Sequence, residues 1–307
     1  MDKQFIIKTI EKKQMDIIKN KFSVQDLIIG YNYCLIEKKT DNKMITELYK
    51  NIIEKITEAK SIYVAYMKSF PYPYIDKSKT LGINIWVFSK KEYGEESVAE
   101  CKKTNLPLEI REMSGENFVN LCRDLVMRFN VQSINLDNSK EFICFDITHV
   151  TGKYTGEELF VNPELVQRMT IYTQDLLTPN IVKSILDEEE QLLEDSIKKS
   201  NFLVAYKKLD GRDDQVNLPL LKNSIDKTTI QPIFTDWEEL LKWDIKAQGF
   251  EVFVADIITI ASMIQNENQN IVINPFGSNL NMKASRLIEL AEEKKGIASE
   301  TENQESK

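Results

Sequence analysis

Ile62-Tyr63-Val64-Ala65-Tyr66-Met67-Lys68 and Phe202-Leu203-Val204-Ala205-Tyr206-Lys207-Lys208 are near-copies of one another, one in each half of a 307-residue chain. Each is short and apolar and predicts a strand. Each follows a charged, helix-like stretch, Met44 to Lys60 and Ser184 to Ser200, with Ile45 in register with Ile185, Ile52 with Leu192 and Ile53 with Leu193. A helix leading into a strand is expected twice.

The likeness extends outward in the same order. A second strand is expected at Ile83 to Phe88 and at Ile230 to Phe234, each running into a hydroxyl-x-x-Glu pattern, Ser89-Lys90-Lys91-Glu92 and Thr235-Asp236-Trp237-Glu238. In such a capping box the hydroxyl takes the third amide and the Glu returns to the cap amide. Leu108-Glu109-Ile110-Arg111 and Phe250-Glu251-Val252-Phe253 alternate with the period of a half-buried strand. Phe118, Leu121, Cys122, Leu125, Val126 and Phe129 then line one helix face, with Ser114 as its cap. The second half offers a shorter run, Ile257, Ile260, Ala261 and Ile264. Ser133-Ile134-Asn135-Leu136 is matched with Val272-Ile273-Asn274-Pro275 as the closing strand.

The expected fold class is therefore α/β (α+β): two tandem copies of a small domain, each a mixed sheet flanked by helices, with helices ahead of them. The boundaries are an N-terminal helical extension at 1–43, a first and diverged copy at 44–150, a linker at 151–180, a second copy at 181–290 and a partly disordered tail at 291–307. The repeat is far longer than a solenoid period.

Composition narrows the function. A net charge of −8 excludes a protein built around a basic stripe for nucleic acid. The longest apolar-rich stretch, Phe250 to Ile264, contains Glu251 and Asp256 and falls short of the ~20 residues of a membrane span. With no secretory signal pattern, the expected location is the cytoplasm. Cys34, Cys101, Cys122 and Cys144 form no C-x-x-C and are expected as free thiols.

The second half resembles the N-terminal domain of the bacterial SseB, or enhanced serine sensitivity, family over about 193–282. The likeness rests on Phe202-Leu203-Val204-Ala205-Tyr206, on Pro232-Ile233-Phe234-Thr235-Asp236-Trp237-Glu238-Glu239-Leu240, and on the closing Val272-Ile273-Asn274-Pro275-Phe276-Gly277. In the first half Asn135-Leu136-Asp137-Asn138 stands in place of the Asn-Pro-Phe-Gly turn. The resemblance implies a fold and no catalytic residues.

Most enzyme classes fail on inventory. His149 is the only histidine, which excludes multi-histidine metal sites. Gly152-Lys153-Tyr154 lacks the earlier glycine and following hydroxyl of a phosphate loop, and Asp210 to Asp214 lacks the distant glutamate of a calcium loop. No metal or cofactor is expected. Cys101, in Glu100-Cys101-Lys102-Lys103, is the most plausible reactive thiol, because neighbouring lysines favour a thiolate. The expected binding residues are the aromatics Tyr66, Tyr72, Tyr74, Tyr206, Trp237 and Phe276, together with Asn274. The expected function is a non-enzymatic binding or regulatory protein with a protein partner. A cysteine-dependent sulfur carrier or redox protein, and a small-metabolite sensor, are the alternatives.

Overall fold

The computed structural model describes residues 1–37, 42–153, 160–209, 212–222, 229–243, 249–264 and 269–305. The chain is a mixed α/β protein with mixed sheets flanked by helices. It divides into two compact units, residues 1–156 with 178–180, and residues 157–177 with 181–307.

The first unit opens with α1 (Lys3–Glu11), α2 (Met15–Lys21), α3 (Val24–Glu37) and α4 (Asn42–Thr57). Ile6, Ile10, Ile18, Leu27 and Ile28 are buried, so these helices close on one another through apolar stripes. Then follow β1 (Ile62–Met67), β2 (Ile75–Ser78), β3 (Gly82–Phe88), α5 (Lys91–Lys103), β4 (Leu108–Met113), α6 (Gly115–Phe129), β5 (Ser133–Leu136), β6 (Ile143–Asp146) and the short α7 (Thr148–Thr151). The six strands form one sheet in the order β4-β1-β3-β5-β6, with β2 also on β3. Only β3 and β5 run parallel. Strand alternation turns Val64, Val87 and Leu136 to one face. Tyr49 of α4 meets Phe145 on that side. The other face carries Phe88 and Ile110, against which Gly94 of α5 packs too closely to admit a β-carbon.

The second unit begins with α8 (Pro163–Leu176), inside the stretch expected as a linker. Pro163 supplies a ready-made first helical φ, and Leu165 and Met169 enter the core. Apolar residues at helical spacing thus make 163–176 part of the domain rather than a connection. After α9 (Lys183–Lys199) come β7 (Asn201–Leu209), β8 (Arg212–Asn217), β9 (Leu221–Lys222), β10 (Thr229–Ile233), α10 (Trp237–Leu241), β11 (Glu251–Asp256), α11 (Ile257–Met263), β12 (Asn270–Ile273), β13 (Leu280–Lys283) and α12 (Ala284–Glu305). The expected disordered tail is helical as far as Glu305, and Leu287, Leu290 and Ala291 of that helix are buried. Arg286 in α12 clasps Glu194 of α9 with two bonds of 2.7 and 2.6 Å. Strands β11-β7-β8 form one sheet and β13-β12-β10-β9 another, joined by a bridge between Leu203 and Phe234. Here β10 and β12 are the parallel pair.

Each unit ties the end of one parallel strand to the exit of the other. In the first, Asp137 adopts φ 60° and its N–H donates to the Val87 carbonyl at 2.8 Å. Its carboxylate accepts both the N–H and the hydroxyl of Ser89, each at 2.7 Å. In the second, Asn274 adopts φ 53° and donates its N–H to Ile233 at 3.0 Å. Its Oδ1 accepts the Thr235 N–H at 3.0 Å, and its Nδ2 donates to the Thr235 hydroxyl at 2.8 Å. Asp and Asn tolerate the left-handed region that such a turn needs.

This clamp overturns two expectations. Neither Ser89 nor Thr235 caps a helix, because each hydroxyl is held across the sheet. The cap positions fall one residue later, at Lys90, which makes no side-chain cap bond, and at Asp236, whose Oδ1 accepts the Glu239 N–H at 3.0 Å. By hydrogen bonding, the counterpart of Asn274 is Asp137, not the Asn135 with which the sequence pairs it. Ser114 does cap α6, accepting the Asn117 N–H.

Candidate functional site

The second unit contains a cleft of about 390 Å³. Its floor is the core side of β7, β10 and β12, where register places Val204, Gln231, Ile233 and Ile271 on one face. One wall is Ile260, Met263 and the following Ile264; the rim opposite carries Leu218 and Leu220. The cleft lies beside the end of α11, a short helix. Asp256 caps it by accepting the Thr259 N–H at 2.9 Å and hydroxyl at 2.8 Å, and the helix ends at Met263 after two turns.

Polar groups in the described lining are neutral: Asn217, Ser262, Gln269 and, in the floor, Gln231. Gln231 is only 5% exposed. Its Nε2 donates to the Pro232 carbonyl at 3.2 Å, and no donor among the described residues reaches its Oε1. A donor to a carbonyl must be the amide nitrogen, which fixes the side chain's orientation. The described lining holds no ionisable side chain. Such a surface can bind by apolar burial and one or two hydrogen bonds.

The residues expected to bind lie elsewhere. Tyr66 is buried beneath Arg111, whose guanidinium lies 4.1 Å from the ring centroid. Tyr72 is buried between Phe70 and Phe129, at 5.5 and 4.8 Å. Both are core residues rather than contact residues. Tyr74 meets Trp86 edge-on at 5.2 Å, and Tyr206 donates to Glu251 at 2.5 Å on a strand surface. Asn274 has no exposed surface; it is the clamp, and lines nothing. Trp237 and Phe276, two residues beyond Thr235 and Asn274 respectively, are 45% and 46% exposed. Tyr154 and the Asp210-Gly211 turn lie outside the described residues.

Burial pushes the Cys101 thiol up, and the nearby Asp76 and Glu100 carboxylates push it further, against the expectation that Lys102 and Lys103 favour a thiolate. Burial also raises Cys122 and Cys144, the latter opposed by a bond with Ser133. His149 shares a 2.5 Å hydrogen bond through Nδ1 with the hydroxyl of Tyr49. Among the described residues no three His, Cys, Asp or Glu side chains converge as metal ligands, and no helix is long and apolar enough to cross a membrane.

Nothing in the sequence singles out the cleft, because its parts are ordinary. Gln231 reads as one polar residue inside a strand, and Leu218-Pro219-Leu220-Leu221 as a connection. The available signal was the brevity of the Ile257 to Ile264 run beside the longer Phe118 to Phe129 run.

No family model matches the sequence, and no curated protein does. Among solved structures, Anabaena Tic22 (protein transport) aligns at 10% identity and a TM-score of 0.20, covering 72% of this chain and 90% of that chain. Tic22 from Plasmodium falciparum aligns at 10% identity and a TM-score of 0.18 with the same coverage. Superpositions of that quality carry no argument here.

Proposed function

We propose that this chain is a non-enzymatic binding protein of the cytoplasm, with its ligand in the cleft of the second unit and a protein partner receiving the signal. The observation behind this reading is a cleft walled by Ile260, Met263 and Ile264, with neutral amides and a hydroxyl among its described lining and no ionisable side chain there. Four cysteines, none of them in a disulfide, suit a reducing compartment. The raised thiols of Cys101, Cys122 and Cys144 weigh against a sulfur carrier, whose nucleophile must be a thiolate. A partner surface is favoured at Trp237, Leu241 and Phe276, which are large, apolar and about half exposed.

Within the same proposal, the halves are divergent copies of one SseB-like domain. Support comes from the matching order of strand pairings and from the matching clamps at Asp137 and Asn274. Thermal unfolding of the full chain against a panel of neutral and charged metabolites tests the binding reading. A ligand at about 100 times its Kd should stabilise by roughly 2.7 kcal/mol. A flat profile, together with turnover in a broad activity screen, would sink it.

A further inference from the structure

We infer that the cleft selects neutral, largely apolar small molecules carrying one hydrogen-bond donor, which Gln231 Oε1 receives. This rests on the binding reading above and narrows it to a ligand class.

Charge is the first discriminator. Val204, Ile233, Ile260 and Ile271 are almost fully buried and supply the apolar part of the floor and wall. A sulfonate, carboxylate or ammonium entering there would lose its hydration and meet no countercharge in the described lining, which is heavily unfavourable. The second discriminator is the donor. Gln231 is held with its Nε2 on the Pro232 carbonyl, so the open acceptor position belongs to Oε1. A ligand N–H or O–H reaching that oxygen gains a hydrogen bond within a largely buried side chain. Size is the third. About 390 Å³ is near the low end of small-molecule sites, roughly 300–1,000 Å³, which suits a two- or three-ring compound rather than a folded partner.

N-phenyl-1-naphthylamine is a fitting probe, being neutral, aromatic, brighter in apolar surroundings and equipped with a single N–H. Titrated into the full chain, it should bind saturably at one site. Its sulfonated relative, 8-anilinonaphthalene-1-sulfonate, should bind at least about tenfold more weakly. Gln231→Met keeps the side-chain length and removes the acceptor. It should weaken the probe by about three- to tenfold and leave the N-methylated probe, which has no N–H, unchanged. Ile264→Trp fills the wall and should abolish binding of all three. Should that variant fold poorly by circular dichroism, Leu220→Glu, at an exposed rim position, is expected to weaken the neutral probe without disturbing the core.

Equal affinity for the sulfonate, or an equal effect of Gln231→Met on the probes with and without N–H, overturns the ligand class while leaving a binding cleft. Binding that survives both Ile264→Trp and Leu220→Glu, or no binding by any probe, removes the cleft itself and the binding reading with it.

Discussion

The two units differ most where their strand pairings are most alike. In the first, α6 runs four turns after its cap, with Phe118, Cys122, Leu125 and Phe129 fully buried and Phe129 edge-on against Tyr72. In the second, α11 stops after two turns, and a cleft lies beside its last residues. Helix length thus separates the two units, while a tie across the parallel strands is present in both. The tie itself differs by one atom type, a carboxylate in Asp137 and an amide in Asn274.

The largest effect is expected where α6 begins. A β-carbon at Gly115 would sit 2.2 Å from the Thr57 carbonyl oxygen and 2.6 Å from its carbon, both main-chain atoms with little freedom to move. The second helix carries Ile257 after its cap, fully buried. Gly115→Ala should destabilise the first unit by about 4 kcal/mol or more, whereas Ile257→Ala should cost the second about 3 kcal/mol by leaving a void. Hydrogen exchange read separately over β3–β5 and β10–β12 resolves the two. An alanine tolerated at 115 would break the contrast.

Next in size is the exchange of clamps. Burial raises the Asp137 carboxyl to about 6, against the hydrogen bonds from Ser89, which lower it. Its folded value lies above its unfolded one, so the folded state holds more protons between about pH 4 and 6. Stability from this group falls as pH rises through that window, and the full penalty, roughly 3 kcal/mol, applies at neutral pH. Asp137→Asn should therefore stabilise the first unit at pH 7 by up to that amount and flatten its pH dependence. Its new amide can donate to Ser89 as Asn274 donates to Thr235. Asn274→Asp should do the reverse in the second unit. Denaturant midpoints at pH 4 and 7 decide, and unchanged pH profiles in both variants would refute the account.

The helix caps give the smallest effect and sharpen the contrast. Ser114→Ala should cost about 1 kcal/mol at any pH. Asp256 is pushed up by burial, yet the Thr259 bonds and Lys294 at 3.1 Å outweigh that and hold it below the usual carboxylate range. A depressed value adds stability above the unfolded pKa and loses it as pH falls through the folded one. Asp256→Ala should thus cost about 1–2 kcal/mol at pH 7 and progressively less in acid. A pH-independent loss would assign the effect to packing alone.

Local pattern carried much of this fold. The strands around Tyr66 and Tyr206, the Ser114 cap and the shorter second helix are all legible in residue order. Long-range partners were not. Ser89 and Thr235 have ideal capping-box spacing, yet Asp137 and Asn274 claim them from across the sheet. Tyr72 reads as a contact residue until Phe129 is placed against it. The α8 stripe of Leu165 and Met169 was overshadowed by the turn-rich residues before it. The cleft depends on where α11 stops and which way Gln231 faces, and both are settled by packing.

The residue after Asn274 is proline, and that bears on how the clamp ages. Asparagine side chains degrade when the next backbone nitrogen attacks the amide and closes a succinimide ring, which reopens in part to aspartate. Pro275 has no N–H and cannot take that path. The second unit's tie is therefore shielded from the slow chemical conversion that would give it the titration behaviour of the first.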